Sequence, residues 1–371
     1  MCESQMNKGF LKEIRSDLEK GGVFSNLSSE LKIRFYRQNG AIIEDDVSIG
    51  SGSVLLADKI HIGQSVTIGN NCRFECDDIR IGKMVKFIGD SEIVGRRVNI
   101  GDVSYFEKSV LIGLGGAKGP NSKIEIGKMC FIGMECQLNT SEPIFVGDET
   151  CIGVRTVLLT HSAWQNPLEG YPVRFGPISI GNNVWIGTDC FVLPGVRIEN
   201  DVTVAPKSVV TNDIKQKGLY GGCPAKCIKD SLHHGVPLSE REKDRYVRSF
   251  VAELKVLLNF HSYSLINEES DEQIRLGFEK SGEKYVFLYS FDLDQELFKE
   301  IQCKDTSRKI VIFIKSDLRI NRRFDNCSIF DLTNQVVSGV EDSFSNEIRN
   351  FFRRRGIRFR PIIWRYGEKN D

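Results

Sequence analysis

The chain has 371 residues, in which 50 lysines and arginines balance 50 aspartates and glutamates. That length allows a large core and two domains, and the charge balance excludes a global electrostatic pull toward nucleic acid. No apolar run reaches the roughly 20 residues that cross a bilayer and no basic-then-apolar leader is visible, so a cytoplasmic protein without a transmembrane segment is expected.

Residues 5–20 read as an amphipathic helix, with Phe10, Leu11, Ile14 and Leu18 on one side and Gly21-Gly22 as its stop. A second helix is expected over about 28–37. Residues 1–40 then form an N-terminal helical cap on the domain that begins near residue 41. Loose attachment to an anionic membrane surface is the weaker alternative.

From Ile43 an aliphatic or aromatic residue returns about every sixth position: Ile43, Ile49, Leu55, Ile62, Ile68, Phe74, Ile81, Phe87, and so on to Val210. The clearest run is 178–213, with Ile180, Ile186, Val192, Ile198, Val204 and Val210. Neither a helix nor a simple strand has that period. Short strands and turns wound into a solenoid do, three units to a coil of about 18 to 20 residues. Eight to nine coils at the strand spacing of ~4.8 Å make a prism roughly 40 Å long over residues 41–229. Glycine follows the aliphatic residue at 50, 63, 69, 82, 95, 101, 113, 127, 133, 147, 153, 181 and 187 and is expected to supply tight, often positive-φ corners.

The chain contains 11 cysteines. Cys72, Cys130, Cys136 and Cys190 fall on the small inward slot of the repeat and read as compact apolar fillers. Cys223 and Cys227 lack a second ligand pair. No metal site is expected.

Two insertions interrupt the rhythm. Gly113–Lys123 is glycine-rich, but no strand–loop–helix context surrounds it, so it reads as a plain loop. The second runs from about Thr160 to Pro177 and carries His161, Trp164, Gln165, Asn166, Tyr171 and Arg174. Polar and aromatic residues leaving a rigid scaffold together suit a substrate loop.

Residues 230–238 read as a linker. Ser239 and Glu242 make a capping box for a helix to about 259. The remainder reads as a small α/β domain over 239–371, with strands at 284–291, 309–314, 328–332 and 357–363 and helices at 292–302 and 341–355. Its tail is basic, with Arg349, Arg353, Arg354, Arg355, Arg358, Arg360 and Arg365; a solvated helix face explains it more simply than contact with an acidic glycan or partner.

The segment Val146-Gly-Asp-Glu-Thr-Cys-Ile-Gly-Val-Arg-Thr-Val-Leu-Leu-Thr-His161, the loop, Ile180-Gly-Asn-Asn-Val-Trp-Ile-Gly187 and Gly222-Cys-Pro-Ala-Lys226 resemble the hexapeptide-repeat acetyltransferases of the galactoside and maltose type. They also resemble the O-acetyltransferases of bacterial capsule and O-antigen sugars. The match is specific over about 126–229 and looser over 41–125. It implies a mainly β fold, a left-handed parallel β-helix with short N-terminal helices and a C-terminal α/β domain. It also implies acetyl-CoA as acyl donor, a carbohydrate acceptor and a homotrimer whose sites lie between prisms.

By the same resemblance His161 is the catalytic base and Trp185 its neighbour in the site. Coenzyme A is expected along Gly187, Thr188, Pro206, Thr211, Lys226 and Lys229. The acceptor is expected at Asn139, Trp164, Tyr171 and Arg174. A base of near-neutral pKa suits acetyl transfer to a hydroxyl. Backbone N–H groups at Gly187–Thr188, or the Thr188 hydroxyl, are candidate oxyanion donors. Three other readings remain open: N-acetylation of an amino sugar nucleotide, a zinc carbonic anhydrase, and a non-catalytic β-helix scaffold. The second needs three histidines around one metal, but only His61 and His161 fall in the prism, about 100 residues apart.

Overall fold

The structure is a computed structural model that describes residues 5–113, 115–116, 118–230, 235–270, 273–293, 295, 308–315, 327–339 and 342–361. The chain divides into two compact units, Met1–Val236 and Pro237–Asp371.

The first unit is a parallel β-helix. Its strands stack in three faces. On the first lie Lys123–Ile126, Ile144–Val146, Ile178–Ile180 and Arg197–Ile198. The second holds a ten-stranded sheet whose last strand, Lys226–Lys229, runs antiparallel. On the third lie Leu111–Gly113, Gln137–Asn139, Val157–Leu159, Phe191–Val192 and Val209–Val210. Early in the prism the corner between third and first faces is nearly straight, so Val54–Ile62, Arg73–Ile81 and Glu92–Ile100 each run across both as one strand.

The six-residue period becomes a set of inward ladders. On the second face Ile49, Ile68, Phe87, Phe106, Ile132, Ile152, Ile186 and Val204 stand in register, all buried. Each coil therefore covers the apolar side chains of its neighbours, and stability accrues from coil to coil. The small inward slots do more than fill space. Cys136 Sγ–H donates to Gly153 O (3.0 Å), Thr150 Oγ1–H to Gly181 O (2.8 Å) and Thr156 Oγ1–H to Gly187 O (2.9 Å). Cysteine serves there as a donor as well as a filler, and burial pushes the thiols of Cys76 and Cys136 up to about 12.

The corner glycines have a different cause from the one their spacing suggests. Gly63, Gly133, Gly153, Gly181 and Gly187 are not in the left-handed region; that conformation falls on non-glycine residues nearby, such as Ser65, Glu135, Arg155, Asn183 and Asp189. What excludes a side chain is the next coil. A Cβ on Gly153 would lie 2.6 Å from Gly187 C, and one on Gly187 would lie 2.6 Å from Pro206 N. Gly153→Ala is thus expected to destabilise the unit by about 1–3 kcal/mol despite its ordinary φ. Urea unfolding checks this, and an unchanged midpoint would return the explanation to backbone torsion.

Helices α1 (Lys8–Glu19) and α2 (Ser29–Gln38) cover the open end. The groups that the first coil leaves unpaired are taken up by side chains of α2: Ser29 Oγ accepts from Ile49 N–H (2.9 Å), Tyr36 Oη accepts from Leu55 N–H (2.8 Å), and buried Lys32 donates from Nζ to Gly50 O (2.5 Å) and Ser53 O (3.2 Å). Burial lowers the Lys32 pKa.

The described residues of the second unit form a seven-stranded mixed sheet with α3 (Glu240–Phe260) and α4 (Ser343–Arg353). Its strands Glu283–Asp292, Arg308–Lys315 and Cys327–Asp331 run parallel, and both helices carry capping boxes. Of the expected strand at 357–363, Arg360–Pro361 is strand and 362–363 lie outside the described residues, while Ser264–Ser270, Ile274–Lys280 and Val336–Gly339 are additional strands. The expected helix at 292–302 falls almost wholly outside the described residues, as do His233, His234 and Arg365. Arg355 is not simply solvated, since it pairs with Glu253 and lies over the Phe351 ring. No described helix is long and apolar enough to cross a membrane.

Candidate active site

The corner between third and first faces carries the site. After Val157–Leu159 the chain leaves the prism through buried Thr160. It forms a two-stranded arm in which His161–Ser162 pairs antiparallel with Arg174–Phe175. The arm returns where Gly176 N–H donates to Thr160 O (3.0 Å). A Cβ on Gly176 would lie 2.7 Å from Gly195 Cα, so the root is pinned on the next coil.

The imidazole of His161 is half-buried, and its stacking partner is Phe175, with ring centroids 5.6 Å apart and planes at 17°. Its Nδ1 lies 3.0 Å from Asn139 Oδ1 and 3.0 Å from Ser141 Oγ. Asn139 is 6% exposed and ends the third-face strand of the coil before. Its Oδ1 also accepts from Ser141 N–H (3.2 Å) and lies 3.1 Å from Thr160 Oγ1. The Ser141 N–H donating to this atom, and the other amide atom facing Gly115 O at 3.4 Å, identify it as the amide oxygen. Nδ1 must then carry the proton, and Nε2 is left as a bare lone pair. The group that orients His161 is an amide rather than a carboxylate.

The predicted acceptor and donor residues separate into several places. Asn139 lies beneath His161, with its side chain directed to the ring rather than to solvent. Trp164 is 97% exposed on the arm; Tyr171 and Arg174 are also exposed there, with Arg174 Nη2 reaching over Gly195. Trp185 is 55% exposed on the second face, which is opposite the His161 corner of a three-faced prism. Within one chain the ring stacked on the imidazole is Phe175, and Trp185 stands on a different face.

Gly187, Thr188 and Pro206 lie at the corner of second and third faces, and Gly187 packs directly on Pro206. Of the two expected oxyanion donors, Gly187 N–H is already donated to Val204 O (2.8 Å). The Thr188 N–H has no hydrogen bond among the described residues. Arg155 grips Asp189 beside it by two bonds (2.7 and 2.9 Å), holding that carboxyl below its usual range. Thr211 follows Val209–Val210 at the His161 corner, two coils further on. Lys226 and Lys229 are exposed on the closing strand.

The glycine-rich insertion is more than a plain loop. Gly115 O accepts from Ser141 Oγ–H (2.7 Å) and from Asn139 Nδ2–H (3.4 Å), and Lys118 Nζ anchors the insertion on Glu75 (2.9 Å). Coil length contained a signal for Ser141, because it precedes His161 by 20 residues, one coil. Nothing in the local sequence marked Phe175 or Gly115. Among the described residues no three His, Cys, Asp or Glu side chains are grouped to hold a metal.

Comparison with known proteins agrees with the repeat architecture. The family description "Bacterial transferase hexapeptide (six repeats)" matches residues 177–212, and "Hexapeptide repeat of succinyl-transferase" matches residues 40–74. The chain is 31% identical over 150 residues to a putative acetyltransferase of Schizosaccharomyces pombe, covering 38% of this chain and 71% of that one. Galactoside O-acetyltransferase of Escherichia coli K12 is 25% identical over 159 residues, covering 42% and 72%. The putative colanic acid biosynthesis acetyltransferase WcaF of the same organism is 29% identical over 110 residues, covering 30% and 60%.

Proposed function

The chain belongs to the hexapeptide-repeat acetyltransferases, and on that premise we propose that it transfers acetyl from acetyl-CoA to a sugar hydroxyl of a bacterial surface glycan or its precursor. The observation that carries this reading is the placement of His161 Nδ1 3.0 Å from the Asn139 amide oxygen, which leaves Nε2 as the ring nitrogen available to an acceptor hydroxyl. The likeness to a galactoside O-acetyltransferase supports a sugar hydroxyl, and the likeness to WcaF supports a surface glycan.

In the proposed reaction Nε2 of His161 takes the proton of the acceptor hydroxyl as its oxygen attacks the thioester carbonyl. The imidazolium gains from Asn139 Oδ1 beside Nδ1–H. Thr188, through N–H or hydroxyl, faces the developing oxyanion. As the carbon–sulfur bond breaks, Nε2–H returns its proton to the departing thiolate. Pro206 and Thr211 line the donor's path, and Lys226 and Lys229 neutralise its phosphates. Trp164, Tyr171 and Arg174 present the acceptor side.

Within one chain Trp185, Thr188 and Pro206 are separated from His161 by the width of the prism. A second copy that sets its second face against this corner completes the site, and heterologous contacts of that kind close into a trimer. The exposed arm, with Leu168 95% exposed, then gains a covering surface. Acetyl-CoA is a cytoplasmic metabolite, so the cytoplasm is the proposed compartment.

Release of coenzyme A from acetyl-CoA across sialylated and neutral glycans tests this, followed by NMR of the product. Release with one glycan class and an alkali-labile ester is expected. An alkali-stable amide would transfer the reaction to an amino sugar, and no acetyl-CoA consumption with any acceptor would favour a scaffold.

A further inference from the structure

We propose that Ser141 is a positioning residue which, through its bond to the Gly115 carbonyl of the glycine-rich insertion, holds His161 in the tautomer that can act as a base. This deepens the functional reading above and rests on His161 being that base.

A serine hydroxyl has one proton. Ser141 Oγ–H donates it to Gly115 O at 2.7 Å, so toward His161 Nδ1, 3.0 Å away, the same oxygen can only accept. The Gly115 carbonyl also accepts from Asn139 Nδ2–H, which turns Asn139 Oδ1 toward Nδ1. One backbone carbonyl thus sets the polarity of both groups that face Nδ1. Both become acceptors, Nδ1 keeps its proton, and Nε2 is left bare. Without that carbonyl the Ser141 hydroxyl is free to rotate and donate to Nδ1. The proton then shifts to Nε2, where the ring can no longer accept one from an alcohol.

The insertion is built for this approach. Gly115 and Gly116 both have positive φ, at 43° and 74°. A Cβ on Gly116 would lie 2.5 Å from Ser141 Oγ, so only glycine lets the turn rest on the hydroxyl. Lys118–Glu75 and Asn121–Glu142 fasten the insertion just after that contact. Of the charged groups on the elements around the ring, Glu142 accepts from Asn121 and Lys118 pairs with Glu75, while Arg174 is exposed on the arm.

The test compares Ser141→Ala, Ser141→Thr and Gly116→Ala in the full chain, with pH profiles of acetyl transfer and the 15N spectrum of the His161 ring. Ser141→Ala is expected to lower kcat about tenfold with KM for both substrates held. Its acid limb is expected to move to lower pH, because an acceptor that favours the imidazolium is gone. The ring spectrum should gain the Nε2–H form. Ser141→Thr should restore all three properties, and Gly116→Ala should reproduce the alanine pattern by displacing Oγ. Wild-type kcat, acid limb and ring spectrum in Ser141→Ala would overturn the proposal. So would equal losses in the alanine and threonine variants with an unmoved limb. An active His161→Ala would instead overturn the functional reading, which separates the two failures.

Discussion

Replacing His161 by alanine is expected to lower kcat/KM for acetyl transfer by a factor of about 10²–10⁴, the usual contribution of a positioned general base. The loss should appear in kcat, because the free Nε2 is required when the hydroxyl proton moves and the ring is not the main grip on either substrate. Fold stability should change little, since the ring is half-buried at the root of an exposed arm and the prism core lies beneath Thr160. Steady-state kinetics with acetyl-CoA and the best acceptor provide the measurement, with thermal unfolding as the control. Retained wild-type turnover would remove His161 from the chemistry. A loss accompanied by a fallen melting temperature would point to the arm's anchorage.

Phe87→Ala is expected to be the most destabilising single truncation in the prism, at about 3–5 kcal/mol. The ring is fully buried on the second face, stacked on Phe106 with centroids 4.3 Å apart and edge-on to Phe74 at 4.9 Å. Removing it opens a cavity between coils whose backbones are tied by their own hydrogen bonds and cannot close in. A melting temperature lower by about 10 °C is expected for a unit of this size. The coils bearing Phe74, Phe87 and Phe106 should also exchange amide hydrogen faster than those near Ile186, because a solenoid is coupled mainly to its neighbours. A shift under about 2 °C would mean the coils repack around the gap.

The C-terminal unit shows where local pattern runs out. Its central strands were legible as apolar runs, as at Lys284–Phe291, because their side chains are buried on the sheet faces. Ser264–Ser270 was not legible. It is exposed along its whole length and is ordered by antiparallel pairing with Ile274–Lys280, which itself contains Gly277. A polar edge strand owes its conformation to its partner rather than to its own propensity.

The prism's three-strand repeat, its aliphatic ladders and the break in the repeat at His161 follow from the sequence alone. A period of six repeated over many coils has one way to bury every sixth side chain, and a break in that period must leave the surface. Tertiary structure alone decided why the corners are glycine, since close approach of the next coil leaves no mark that torsional preference can reveal. It also decided which groups meet the imidazole. Ser141 lies one coil away, Phe175 comes from the far side of the arm, and Gly115 comes from an insertion that breaks the repeat. Trp185, close to His161 in sequence, faces the other side of the prism, because a coil turns through all three faces before it returns.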